Sequence, residues 1–132
     1  MADHLQPQPP PVANDKPAVW DLVLADTVTW ERHPRAVGLS SDVRVWGLVR
    51  EDMRHRDAQG RERYGTPLQP HNGRDALADA YQEALDKAVY LRQAEEELPP
   101  DNPFRLVLAP LIEDELHSIY CLRRLLLARD GR

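Results

Sequence analysis

Residues 74–97 read RDALADAYQEALDKAVYLRQAEEE, and this stretch decides the fold. Leu77, Tyr81, Ala84, Leu85, Ala88 and Leu91 recur at steps of three and four, the period of an α-helix with one apolar face. At about 100° per residue, Asp75, Asp79, Glu83 and Asp86 gather on the opposite side, so the helix is apolar in front and acidic behind. The run LPPDNP that follows cannot continue a helix, which predicts an end near Glu97.

Working outward from this helix, a last helix is predicted over about 104–129. Asn102 can cap it, Pro103 suits a first turn, and Leu116, Ile119, Leu122 and Leu126 form its apolar side. Pro110 either kinks this helix or marks its true start. On the other side, RERYGTPLQPHNGRD contains Gly65, Pro67, Pro70 and Asn72-Gly73 and reads as an ordered or semi-ordered loop. A first helix over about 41–58 precedes the loop. Ser40-Ser41-Asp42 caps it, Val45, Trp46, Val49 and Met53 supply its apolar positions, and Ala58-Gln59-Gly60 ends it, with Gly60 in the left-handed conformation.

The segment AVWDLVLADTVTW from Ala18 fits a short helix or a strand, because Trp20, Leu22, Leu24 and Val28 do not settle the period, and His33-Pro34 terminates it either way. Residues 1–17, with Pro7, Pro9, Pro10, Pro11 and Pro17, read as a disordered or polyproline-like leader. The expected architecture is all-α: a small bundle of three to four helices in a single domain over 18–132, behind a Pro-rich tail. So short a bundle has a thin core, and pairing with a second copy would remedy it, which predicts a homo-oligomer.

With 132 residues the chain has room for one domain. A formal net charge of -5 argues against binding a nucleic acid polymer, which needs surplus Lys and Arg against phosphate. The single cysteine, Cys121, lies among Ile119, Leu122 and Leu125 and reads as a buried, reduced thiol in a cytoplasmic protein. Charges interrupt every apolar run well short of the ~18 residues a membrane span requires, and a secretory start is not seen at the N-terminus.

Four carboxylates on one helical stripe repel one another at i,i+4 spacing. A stripe of this kind is either a solvated face or the oxygen-rich setting that Mg²⁺ requires, with Mn²⁺ as a substitute. The loop before it offers Arg61, Arg63, Tyr64, Thr66, His71, Asn72 and Arg74. Arginine forks and the amides of a helix N-terminus attract phosphate, and Tyr64 can stack on a base, so a nucleoside triphosphate suits this combination. The plain alternative is a polar connector.

The block YGTPLQPHNGRDALADAYQEALDKAVYLR resembles small phage and bacterial proteins related to the MazG-type, all-α nucleotide pyrophosphohydrolases. The likeness covers about residues 57–97, under a third of the chain. It implies Mg²⁺-dependent hydrolysis of a nucleoside triphosphate to monophosphate and pyrophosphate, with metal held by a Glu-x-x-Glu pair and a Glu-x-x-Asp pair on successive helices. Glu83-Ala84-Leu85-Asp86 matches the second pair. The first is missing in its usual form: Glu51 and Asp52 are adjacent on the preceding helix, with Asp57 beyond. On this resemblance Glu83 and Asp86 alone carry over as metal ligands. Asp79, one turn before Glu83, is the candidate to take over part of the missing pair's role, and Glu51 is the candidate for a ligand from the preceding helix or for the general base. Arg61, Arg63 and Arg74 neutralise the leaving pyrophosphate, with Tyr64 and Asn72 beside the substrate.

A competing expectation from another class is a non-catalytic helical interaction module, with the acidic stripe as a solvated face and the apolar last helix as its contact surface. EDELH, with Asp114 three residues before His117, is half of a di-iron motif whose second half is absent, and His117 is expected to pair with Glu113. The sequence contains neither a phosphate-binding GxxxxGK[ST] loop nor a GxSxG elbow.

Overall fold

The computed structural model describes residues 3–32 and 43–132. Among them are four α-helices, α1 (Val19–Arg32), α2 (Val43–Tyr64), α3 (Ala76–Glu97) and α4 (Arg105–Asp130), one 3-10 turn at Asp3–Leu5, and no strand. The all-α expectation holds. The chain divides into two compact units, one of the residues up to Gln8 with Asp75–Arg132, the other of Pro9–Arg74.

The first unit is a hairpin of α3 and α4. Asp75 is extended (φ -87°) and its side chain accepts from the Ala78 amide at 3.1 Å, satisfying one of the free donors of the first turn. At the far end, the Asn102 side chain accepts from the Phe104 amide at 2.9 Å as the chain turns into α4. Pro110 lies inside α4, which settles that it does not start the helix, and Gly131 (φ 73°) ends α4 with its amide on the Leu127 carbonyl. Two ion pairs, Lys87–Glu115 at 2.7 Å and Asp75–Arg129 at 2.6 Å, give an antiparallel register. The expected apolar face of α3 is inward: Ala84 is buried and Leu77, Tyr81, Leu85, Ala88 and Leu91 are half-buried. Leu126 is the one apolar residue of α4 buried completely.

The start of the leader is laid along this hairpin. His4 Nε2 meets Asp130 at 2.8 Å, and the Gln82 amide donates to the carbonyls of His4 (2.7 Å) and Gln6 (3.2 Å). Residues 6–17 do lack regular secondary structure, as expected. They are held in place by polar contacts of a kind that composition does not reveal.

In the second unit, α1 resolves the helix-or-strand ambiguity in favour of helix, and it packs on α2 with Arg50 reaching both carboxylate oxygens of Glu31 at 3.1 and 3.2 Å. Gly60 does not end α2, contrary to expectation. The helix runs on to Tyr64, and Gly65 (φ 69°) takes the left-handed position, with its amide on the Arg61 carbonyl at 2.8 Å. A glycine inside a helix costs only about 1 kcal/mol, which the Asp57–Arg61 pair one turn apart (2.8 Å) helps to offset. The expected caps at Ser40-Ser41-Asp42 and the stop at His33-Pro34 lie outside the described residues.

The loop after α2 is ordered around two side-chain amides, Gln69 buried and Asn14 half-buried. Gln69 donates to the carbonyls of Asn14 and Lys16, both at 2.7 Å, and accepts from the Asn14 amide at 3.0 Å. Asn14 in turn donates to the carbonyls of Pro70 (2.7 Å) and His71 (3.0 Å). His71 itself has φ 57°, a conformation that non-glycine residues seldom adopt, and the neighbouring contacts hold it there.

Candidate functional site

The four predicted carboxylates have separate fates. Asp75 is the cap of α3 and is gripped by Arg129 through two hydrogen bonds of 2.9 and 2.6 Å. Arg129 also bonds both oxygens of Asp130, at 2.7 and 2.8 Å. The guanidinium holds both carboxyls below the usual carboxylate range, and His4 adds to the effect on Asp130. Asp79 is half-buried and engaged in a contact of its own. Glu83 and Asp86 are exposed on the back of α3, and among the described residues neither has an ion-pair partner. Lys87 does not relieve them, because it is bound to Glu115.

The Mg²⁺ expectation needs several oxygens around one point. Among the described residues no three His, Cys, Asp or Glu side chains form such a group. Asp79, Glu83 and Asp86 are therefore not gathered into one such group.

The remaining predicted residues belong to the second unit. Glu51 is exposed on α2 and, with Asp52, His55, Arg56 and Gln59, lines a surface hollow of about 460 Å³. Arg61, Arg63 and Tyr64 lie on the last turn of α2 and not in the loop, because the helix outruns Gly60. Arg61 is tied to Asp57, which raises its pKa, and Arg63 sits 5.2 Å from the centre of the Tyr64 ring. Asn72 is buried: its carbonyl accepts from the Val12 amide at 2.7 Å and its side chain from the Arg74 amide at 3.1 Å. Arg74 donates to the Pro9 carbonyl at 2.8 Å. Asn72 therefore serves the loop backbone, and Arg61 and Arg74 have partners in their own unit.

The feature that stands out is apolar. Ala88, Val89, Ile112 and Leu116, edged by Arg92, Gln93 and Glu96, line a groove of about 480 Å³ between α3 and α4. Beside it on α4, Ala109, Leu116, Tyr120 and Leu127 fall within about 40° of one another at 100° per residue. Their stripe is turned well away from Glu115 and Leu126, the two residues of α4 buried against its surroundings. Leu116 is 55% exposed, Tyr120 61% and Leu127 53%. The sequence expectation placed Leu116 with Ile119, Leu122 and Leu126 on one apolar side. A spacing of three and four cannot tell an inward face from a flank ninety degrees away, and the exposures make that distinction.

Cys121 is exposed, contrary to expectation, with its sulfur 3.6 Å from Nε2 of His117, so His117 faces the thiol and not Glu113. Ile119 and Leu122, its apolar neighbours in sequence, turn to the half-buried side, and Cys121 is carried to the outer one. Among the described residues no helix is long and apolar enough to cross a membrane. Set against protein-family models, curated proteins and solved structures, the chain matches none.

Proposed function

We propose that this chain is a helical interaction module whose working surface is the apolar flank of the α3–α4 hairpin. The observation that carries the reading is the groove of Ala88, Val89, Ile112 and Leu116 continued by the exposed Tyr120 and Leu127. Contiguous apolar surface with a polar rim marks a contact site, whereas scattered exposed side chains need no explanation. Arg92 and Glu96, paired with each other at 2.6 Å, supply that rim.

A second reading, Mg²⁺-dependent nucleoside triphosphate pyrophosphohydrolysis, draws on one observation: Glu83 and Asp86 stand one turn apart on a rigid helix without ion-pair partners among the described residues. It requires further ligands from outside the hairpin.

One experiment separates them. Pyrophosphate release from ribo- and deoxyribonucleoside triphosphates is measured with Mg²⁺ or Mn²⁺, on wild type and on Glu83→Gln/Asp86→Asn. Binding of a dye that brightens on apolar surface is followed in parallel, on wild type and Leu116→Glu. The module predicts no release, dye binding by wild type, and its loss in Leu116→Glu at unchanged helicity. Turnover that vanishes in the double variant overturns the module in favour of the hydrolase.

A further inference from the structure

We infer that the occupant of the α4 flank is a second copy of this chain, docked antiparallel across a two-fold axis between Leu116 and Tyr120. The inference rests on reading this flank as a contact surface and adds the partner's identity. A two-fold contact must be self-complementary, because each residue meets the symmetry mate of the residue opposite. The stripe meets that condition. An axis at its midpoint sets Leu116 against Tyr120 of the second copy, and Ala109 against Leu127, so each small or medium side chain faces a larger one.

The charges at the edge of the stripe obey the same symmetry. Glu113 and Arg124 lie on one flank of it, at about 80° and 100° on the helical wheel that places the stripe near 40°. Both are exposed, and among the described residues neither has an ion-pair partner. The proposed axis brings Glu113 of each copy to the level of Arg124 of the other, so two opposite-charge pairs form at once. A parallel arrangement would carry this flank of the two copies to opposite edges of the contact and form neither pair.

The hairpin itself gives a reason for association. Ala78, Ala84 and Leu126 are its only fully buried apolar residues among those described, which is little for two helices of 22 and 26 residues. The stripe from Ala109 to Leu127 extends about 27 Å at 1.5 Å per residue. One helix pair of that length buries less than the ~800 Å² per partner of a standard interface, so the dimer dissociates on dilution.

Sedimentation of the full-length chain from low micromolar to near-millimolar concentration tests this, with helicity checked by circular dichroism. Wild type is expected to pass from monomer to dimer, and Leu116→Glu to remain monomeric at unchanged helicity. Glu113→Arg and Arg124→Glu should each weaken association about tenfold, and the double exchange should restore it. A dimer indifferent to both reversals and to the exchange overturns the antiparallel arrangement. A wild type that stays monomeric overturns self-association. Persistent dye binding that Leu116→Glu abolishes would then leave the flank as a contact surface for a different protein, and absence of dye binding would remove the module reading too.

Discussion

The two ends of the α3–α4 hairpin are finished in opposite ways. At the end holding Asp75, polar groups close on one another: Arg129 bridges Asp75 and Asp130, His4 bonds Asp130, and Leu126 beneath them is completely buried. Toward the other end, Val89, Tyr90, Phe104 and Leu106 are all more than 60% exposed, and the polar contacts are short-range ones: Arg92 on Glu95 and Glu96, Gln93 on Glu97, Arg105 on the Leu98 carbonyl and Asn102 on the Phe104 amide. The chain completes with its own leader the end where hydrogen bonds are available, and leaves bare the part where only apolar burial could add stability. Stability and contact capacity also fall on different sides of α4, because the exposed stripe runs on to Leu127, next to the buried Leu126.

The sharpest way to break this comparison is to truncate one leucine from each class. Leu126→Ala, at the closed end, should lower the unfolding free energy by about 2–5 kcal/mol, whereas Leu116→Ala, on the exposed flank, should change it by less than about 0.5 kcal/mol in dilute solution. Urea titrations below the dimerisation range measure both. Equal losses would mean that the flank is as buried in solution as the interior.

Next in size is the polar closure. Asp75→Ala removes the cap of α3 together with the carboxylate held by Arg129, and loss of the cap alone costs about 1 kcal/mol. The same closure has a pH signature. Asp75 and Asp130 have folded-state pKa values below their unfolded ones, so their contribution is complete above the ordinary carboxylate range near pH 4 and is lost as pH falls through and below it. Melting temperature should therefore fall on acidification, and Asp75→Asn with Asp130→Asn should flatten that fall. Amides of residues 4–8 should exchange faster in the variant, because the strap is anchored by His4 on Asp130.

Three of the helices were legible because their signals are local. The apolar period of α3, the turn prolines after it and the stripe of α4 lie in the sequence itself, and the bounds of α3 and α4 differ from expectation by one or two residues, whereas α2 runs six residues past its expected end. Gly60 misled because a single glycine is a weak stop when the residues beyond it, Arg61 and Arg63, suit a helix C-terminus, while Gly65 a few positions later supplies the cap. The site was less legible. Nothing near Asp75 in sequence announces Arg129, fifty-four residues away, nor does anything near Gln69 announce Asn14. A carboxylate stripe read from spacing carries no information on which members will be taken by distant partners, and Asp75 was taken. Cys121 shows the same limit, because apolar neighbours in sequence occupy other sides of the helix.

The smallest effect concerns the back of α3, and its sign is informative. Glu83 is four residues from Asp79 and three from Asp86, and Lys87, which could relieve it, is bound to Glu115. Neutralising Glu83 and Asp86 as Gln and Asn should therefore stabilise the hairpin by a few tenths of a kcal/mol, raising its melting temperature by about 1–2 °C. The gain should shrink at high salt, as repulsion between exposed charges does. Added Mg²⁺ discriminates further, since a ligand that binds only the folded state raises its stability. If the stripe is a solvated face, wild type and variant respond to Mg²⁺ alike and the variant melts higher throughout. A wild type that Mg²⁺ lifts above its variant would show that the repulsion is kept in order to hold a cation, and would move the working surface of the hairpin from its apolar flank to its acidic back.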